Sequence, residues 1–127
     1  MAVRVDLAEG GRFIEILSEG HITRREAGWA TERTCELLRT HDVAGILADS
    51  RGAERQVSPL LSGELIENFL FAVGRAVPTA YVLPESWSEE YTARVREQVT
   101  EWSQNARYFS SIETARDWLI ASAGARA

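Results

Sequence analysis

The sequence predicts an α/β protein: a mixed sheet of four or five strands with an N-terminal hairpin and about four helices, in the order ββαβαβαβα. Short apolar segments of extended pattern alternate with longer segments of helical periodicity along the 127 residues. Three Ser or Thr residues are each followed by Glu three positions later, which is the capping-box pattern of helix starts. The apolar run at residues 43–48 shows no alternation, which is typical of a strand that helices cover on both faces.

Residues 3–17 form the predicted hairpin. Apolar and charged residues alternate over residues 3–7, Gly10 and Gly11 provide a turn, and residues 13–17 are again extended and apolar. Because no helix follows the two glycines directly, we do not interpret them as a phosphate-binding loop.

The first helix and the central strand come next. Thr23 with Glu26 forms the first capping box, so we expect a helix over residues 23–40. The unbroken apolar run at 43–48 predicts the central strand, and the polar residues 49–57 predict an irregular loop after it.

The second helix is predicted from its start. Ser58 is a suitable N-cap and Pro59 occupies the first helical position, where its missing N–H is not needed. We expect this helix to end near Gly74, and residues 77–83 to form the next strand.

Two further helices complete the pattern. Ser86 with Glu89 and Ser110 with Glu113 make the second and third capping boxes, and residues 106–109 form a short strand between the two helices. One apolar face of the third helix comprises Tyr91, Val95, Val99 and Trp102, and one face of the fourth comprises Ile112, Ala115 and Leu119.

The alternation of strands and helices predicts mostly parallel pairing through right-handed crossovers, with the hairpin as the antiparallel part. We expect one domain over residues 1–122 and a short Ala/Gly tail at 123–127.

Composition argues against several classes of function. The net charge is −5 and the basic residues are scattered, so the surface is not suited to nucleic-acid phosphates. Cys35 is the only cysteine, which excludes an internal disulfide and a zinc site of several thiolates. No stretch approaches the roughly 20 apolar residues that span a membrane. We therefore expect a cytoplasmic protein that has no transmembrane segment. We also expect that it does not bind nucleic acid.

The sequence contains no recognisable catalytic or metal-binding set. His21 and His41 lie at opposite ends of the first predicted helix, too far apart to share a metal. Cys35 falls beside the buried stripe of that helix, where inert packing is expected. We expect no metal, no cofactor and no enzymatic activity.

Several short motifs resemble the SpoIIAA-like family of the STAS superfamily, which comprises anti-sigma-factor antagonist and sulfate-transporter domains. They are Gly-His-Ile-Thr at residues 20–23, Ile-Leu-Ala-Asp-Ser-Arg at 46–51, Phe109, and Ala-Arg-Asp-Trp-Leu at 115–119. The resemblance covers nearly the whole chain. It implies a bacterial, non-enzymatic STAS-like module that binds a protein partner or a small, often apolar, ligand.

Phospho-regulated members of that family carry an Asp-Ser-Ser-Gly sequence at the start of the helix after the central strand. Here Asp49, Ser50, Arg51 and Gly52 match it in part, with Arg51 in place of the second serine. The resemblance implies Ser50 as a phosphosite. We expect Ser50 in a loop rather than at the helix start, because the capping signal comes later, at Ser58.

Ligands of open α/β sheets bind beyond the carboxyl ends of the parallel strands, which places Asp49, Ser50 and Arg51 around one crevice with the residues after Leu83. The alternative is that Asp49 simply pairs with Arg51 on the surface. An enzyme would use Asp49 as a base and Arg51 as an anion holder, and this hypothesis requires a raised pKa for Asp49.

Two apolar features exceed what a core requires. The second helix has a broad apolar arc that includes Ile66, Phe69 and Leu70, and four explanations are open: a homodimer face, a partner-docking surface, the wall of an apolar pocket, or burial under the 50–57 loop. The homodimer hypothesis predicts that Leu70→Glu gives a stable monomer. Trp29 lies on the charged face of the first helix, either as a contact residue or covered by arginine side chains.

Overall fold

The computed structural model describes residues 2–73, 77–99 and 105–126. These residues form one five-stranded sheet whose strands follow each other in the order β1-β2-β3-β4-β5. The strands are β1 (Val3–Leu7), β2 (Phe13–Gly20), β3 (Gly45–Ala53), β4 (Thr79–Val82) and β5 (Ala106–Phe109), and the helices are α1 (Arg24–Thr40), α2 (Pro59–Val73), α3 (Glu89–Val99) and α4 (Ile112–Arg126). The α/β class and the predicted order ββαβαβαβα are confirmed.

The hairpin is antiparallel and every later pairing is parallel. A short 3-10 turn at Glu9–Gly11 joins β1 to β2, and Gly10 and Gly11 both adopt positive φ there, a conformation that glycine reaches without steric cost. Strand β3 lies in the middle of the sheet, as its unbroken apolar run predicted.

The core has one part on each face of the sheet because alternate residues of a strand point to opposite faces. Ile46 and Ala48 of β3 belong to a cluster with buried residues of α1 and α2, whereas Leu47 belongs to a cluster with Leu119 of α4. Helices α2 and α3 contact each other, and α2 also contacts α1.

Strand β3 is longer than predicted, because residues 49–53 continue the strand rather than form an irregular loop, with Asp49, Gly52 and Ala53 paired to β2. Strand β2 continues to Gly20, so its backbone has hydrogen-bonding groups to offer, and Gly52 lies opposite Glu19. A register shift between Leu17 and Glu19 lets β3 carry one more residue than β2 in this stretch. The expectation that Ser50 lies in a loop is therefore wrong.

The N-caps of the first two helices were predicted correctly. The predicted cap lies two residues too early at α3 and one residue too early at α4. The Thr23–Glu26 capping box is present, and the Ser58 hydroxyl accepts from the Leu61 N–H at 3.2 Å. The caps of α3 and α4 are Ser88 and Ser111, not Ser86 and Ser110, since Ser88 and Ser111 accept from Tyr91 N and Thr114 N. In each case a second serine competes for the same role.

Several helix boundaries also bear on the predictions. Helix α2 ends at Val73, and the predicted end at Gly74 lies outside the described residues. Tyr91 and Val95 of α3 are buried, whereas the side chain of Val99 and all of Trp102 lie outside the described part. Helix α4 continues through residues 123–126, with Ala123 buried, so no tail begins after Ser122. No helix of the described residues is both long and apolar enough to cross a membrane.

Candidate functional site

An apolar cavity of about 110 Å³ lies between the sheet and α2. Its walls are the sheet face that α1 and α2 cover, the two helices themselves, and the turn that precedes α3. Most of the side chains around it are apolar, among them Ile16, Ala48, Ile66, Phe69, Tyr81 and Leu83. Burial among these groups raises the pKa of the Tyr81 hydroxyl far above its ordinary value.

The cavity is partly open to solvent, so it is a cleft between the sheet and α2 rather than a void inside the close-packed core. Apolar walls give water few hydrogen bonds, and an apolar cavity of about 150 Å³ is enough to bind benzene. A cavity of about 110 Å³ therefore suits part or all of a small organic molecule.

A hydrogen-bond network lies beside the cavity, which two of its members, Gln56 and Ser62, line. The Tyr91 hydroxyl lies 3.1 Å from the carbonyl oxygens of both Gln56 and Ser58 and shares a hydrogen bond with the Ser62 hydroxyl. Gln56 donates from Nε2 to the Ile22 carbonyl at 2.9 Å. The network thus fastens the start of α2 to α3 and to the segment before α1.

Three of the predicted site residues meet at this cavity. Ser50, Ile66 and Phe69 all line it, Phe69 from a buried position and the other two from half-buried ones. Phe69 also makes an edge contact with Tyr81, with ring centroids 6.4 Å apart. Of the explanations offered for the broad arc of α2, the wall of an apolar pocket fits the positions of Ile66 and Phe69.

Asp49 and Arg51 lie on the opposite face of the sheet from Ser50. Strand geometry separates them, because Ser50 is the residue between them and points to the cavity. Arg51 instead borders a polar depression at the start of α4, together with Ser110, Ser111 and Glu113. The prediction that Asp49, Ser50 and Arg51 surround one crevice is therefore wrong.

Asp49 and Arg51 form an ion pair with two hydrogen bonds. The Arg51 Nε and Nη2 atoms each lie 2.9 Å from an Asp49 carboxylate oxygen, and the Arg51 backbone N–H donates to Oδ1 at 3.2 Å. The hydrogen bonds from Arg51 lower the pKa of Asp49. An enzyme that uses Asp49 as a base required a raised pKa, so the geometry gives that hypothesis no support.

The two remaining predicted residues do not contribute to the cavity. Leu70 is only 3% exposed and belongs to the core, so the predicted variant Leu70→Glu cannot serve as a test of a homodimer face. The exposed apolar residues of this region are Phe71 at 83%, Leu60 at 70% and Val57 at 95%. Trp29 is 39% exposed, and none of the arginine–ring contacts seen among the described residues involves it.

The sequence interpretation missed Trp87, Gln56 and Tyr91 as parts of the site. Trp87 lies in the turn between β4 and α3, where its ring meets that of Tyr91 edge-on at 5.0 Å. The sequence neighbours of Trp87 are Pro84, Glu85, Ser86 and Ser88, and a tryptophan among such residues could have indicated a site residue. The expectation of a crevice formed by residues after Leu83 came close to this position. Within the described ranges, no three His, Cys, Asp or Glu side chains cluster to hold a metal ion.

The fold is that of the STAS domains: a five-stranded sheet with one antiparallel edge strand and helices on both faces. In particular, the chain is similar to the solved structure of the anti-sigma factor antagonist SpoIIAA in its unphosphorylated form. The TM-score is 0.65 at 12% sequence identity, and the match covers 94% of this chain and 97% of that one. The predicted SpoIIAA-like fold is confirmed.

Sequence comparisons add nothing to that likeness. No protein-family model matches the chain, and no curated protein matches it.

Proposed function

We propose that this protein is a non-enzymatic, STAS-like regulatory module that binds a small apolar molecule between its sheet and α2. The observation that carries the proposal is the apolar cavity of about 110 Å³, which Ser50, Ile66 and Phe69 line. The likeness to an anti-sigma factor antagonist supports a regulatory role rather than a catalytic one. A bacterial, cytoplasmic setting and a phosphosite at Ser50 remain predictions of the sequence.

The physical reason for binding is the removal of apolar surface from water. An apolar ligand of matching shape covers the apolar walls of the partly open cavity and gains dispersion contacts with them. The helix that forms one wall, α2, also has its start fixed by the Tyr91 network, so the cavity walls are largely pre-formed.

A second candidate function is docking of a protein on the outer face of α2. Leu60 and Phe71 are eleven residues apart, which at 100° per residue places them within about 20° of each other on one face of the helix. Both are largely exposed, and Val57, just before the helix, is exposed as well. The outer face of α2 is also where a second copy of this chain would bind, which moves the predicted homodimer contact from Leu70 to Phe71.

Ala48→Leu tests the cavity proposal. Ala48 is 3% exposed on β3 and lines the cavity, so a larger side chain there occupies the ligand's space without breaking a hydrogen bond. We expect the wild-type protein to bind ethylbenzene in calorimetric titration, and Ala48→Leu to bind it at least about tenfold more weakly while the unfolding free energy stays equal or rises.

Ala93→Leu is the matched control, since Ala93 is exposed on α3 and is not part of the cavity. It should bind ethylbenzene like the wild type. Equal binding by all three proteins, or no binding by the wild type, would contradict the proposal. Native mass spectrometry of freshly purified protein would in addition detect a retained organic ligand, a second copy, or a phosphate on Ser50.

A further inference from the structure

The sheet floor of the cavity changes from apolar to polar along its strands. On β2, Ser18 follows Ile16 on the same face, because alternate residues of a strand share a face. On β3, Ser50 follows Ala48 in the same way, and all four residues line the cavity. The two serines therefore lie about 7 Å beyond the apolar pair, toward the carboxyl ends of both strands.

Ser18 and Ser50 are neighbours across the two strands. The residues that precede them, Leu17 and Asp49, are register partners, and adjacent strands lie about 5 Å apart. Both serines are half-buried, and neither hydroxyl has a hydrogen-bond partner among the described residues. A serine oxygen is bonded directly to Cβ, so it lies at the wall that the side chain lines. One polar group of a ligand can therefore reach both hydroxyls.

The other polar groups around the cavity are less suited to a ligand. The hydroxyl of Ser62 and the side chain of Gln56 already have partners within the protein. The Trp87 Nε1 atom has none among the described residues, but it is fully buried and thus out of reach of a ligand. Tyr81 is only 7% exposed, and its ring packs against two other aromatic rings. The serine pair is the more accessible hydrogen-bonding site.

Glu54 restricts the charge of the ligand. It follows β3 directly, is exposed, and is the charged residue among those that line the cavity. An anionic ligand would meet like charge and, within the described part of the lining, no cation. A cationic ligand would gain little from an exposed carboxylate and would lose hydration among the apolar walls. Both effects favour an uncharged molecule.

We propose that the ligand is a compact, uncharged amphiphile whose apolar body lies over Ile16 and Ala48 and whose polar group, a hydroxyl or a carbonyl, hydrogen-bonds to Ser18 and Ser50. This inference rests on the proposed function, because it specifies the chemistry and orientation of a molecule in the same cavity. Serine hydroxyls both donate and accept, so they suit either polar group. They fix the orientation of the ligand, which the apolar walls cannot do because the hydrophobic effect has no direction.

Four single-ring probes of similar shape separate these features: ethylbenzene without a polar group, benzyl alcohol with a hydroxyl in place of the terminal methyl, benzylamine with a positive charge and benzoate with a negative one. Calorimetry measures their binding to the wild type, to Ser18→Ala and to Ser50→Ala. Two further variants are controls. Ser110→Ala removes an exposed hydroxyl outside the cavity, and Tyr81→Phe removes the tyrosine hydroxyl of the lining.

We expect each of the two cavity-serine variants to weaken benzyl alcohol binding about 2- to 10-fold and to leave ethylbenzene binding within about twofold. Both control variants should bind benzyl alcohol like the wild type. Benzylamine and benzoate should bind the wild type more weakly than benzyl alcohol does. A readout that needs no variant is the set of intermolecular NOEs of bound benzyl alcohol, from its methylene protons to the β-protons of Ser18 and Ser50 and from its ring protons to the Ile16 methyl groups.

The outcomes distinguish this inference from the proposed function. If ethylbenzene binds, but the Ser18 and Ser50 variants weaken ethylbenzene and benzyl alcohol equally or not at all, the role of the serines is overturned while the cavity proposal survives. A selective loss of benzyl alcohol binding in Tyr81→Phe, or NOEs from the methylene protons to Ile16 instead of the serines, overturns the orientation. Tighter binding of benzylamine or benzoate than of benzyl alcohol overturns the uncharged character of the ligand. Failure of every probe to bind overturns both proposals.

Discussion

Leu70 and Phe71 are adjacent on α2 and have opposite surroundings. Leu70 is 3% exposed and Phe71 is 83% exposed. We expect Leu70→Glu to lower the free energy of unfolding by about 3 kcal/mol or more, because it places an unpaired carboxylate in the core. Phe71→Glu should change it by less than about 0.5 kcal/mol, as surface substitutions do. Urea unfolding of the two variants is the measurement.

The same pair of variants also bears on self-association. If Phe71 forms a homodimer contact, Phe71→Glu gives a stable monomer in size-exclusion chromatography where the wild type is a dimer. A wild type that is already monomeric removes the dimer explanation for the outer face of α2. A Leu70→Glu variant as stable as the wild type would show that the placement of Leu70 in the core is wrong.

The ion pair of Asp49 and Arg51 makes a pH-dependent contribution to stability. Hydrogen bonds from Arg51 lower the pKa of Asp49 below its ordinary value of 3.8 in the folded protein. The contribution is therefore fully present above pH 3.8 and is lost as the pH falls through the lower, folded pKa. Because 52% of the Arg51 side chain is exposed to solvent, the contribution of the ion pair to stability is limited to about 0.5–1 kcal/mol.

We accordingly expect Asp49→Asn to be less stable than the wild type at about pH 7 and equally stable once both are below the folded pKa of Asp49. Chemical unfolding across the acid range measures the difference. Asp117→Asn, at an exposed position of α4, is the control. A stability gap for Asp49→Asn that persists unchanged to the lowest pH at which the protein folds would contradict the prediction.

At the scale of elements, one hydroxyl fastens α3 to the start of α2. The Tyr91 hydroxyl contacts Ser62 and the carbonyl oxygens of Gln56 and Ser58. Tyr91→Phe removes this link and leaves buried polar groups with fewer partners, so we expect a loss of about 1–3 kcal/mol in unfolding free energy. Amide hydrogen exchange should quicken in the first turns of α2, because the network holds that end.

Tyr108→Phe is the matched control for Tyr91→Phe. The Tyr108 hydroxyl on β5 is buried, and no described residue offers it a hydrogen bond. Its removal should leave stability unchanged or raise it slightly, since an unsatisfied polar group disappears. A destabilisation by Tyr108→Phe as large as that by Tyr91→Phe would show that the network has no special role at the α2–α3 junction.

At the scale of the whole molecule, the two core clusters share the sheet. Leu37 of α1 and Leu119 of α4 are each 3% exposed, and they pack on opposite faces of it. We expect Leu37→Ala and Leu119→Ala each to lower stability by about 2–5 kcal/mol while unfolding remains one transition. Amide NMR spectra along a urea titration measure this, since signals from α1 and α4 should vanish at the same urea concentration in each variant. Earlier loss of the α4 signals in Leu119→Ala would indicate two separable units.

Much of this architecture could be predicted from local pattern. The alternation over residues 3–7, the capping box of Thr23 and Glu26, and the unbroken run before Asp49 each predicted the element that is present. Each of these signals depends on neighbours within a few residues, through backbone hydrogen bonds or through the periodicity of a helix or strand. The motif resemblance then predicted the SpoIIAA-like fold, which the comparison with a solved structure supports.

The sequence by itself thus determined the fold class and the order of elements, whereas only the tertiary structure brought Ser50, Ile66 and Phe69 to one cavity. Only the tertiary structure decided that β3 continues through Ser50, because that depends on β2 offering a partner up to Gly20. From this one extension follows the separation of Ser50 from Asp49 and Arg51 onto opposite faces of the sheet. The position of Trp87 beside the cavity likewise depends on how the sheet and helices meet, since packing between distant segments leaves no periodic trace in the chain.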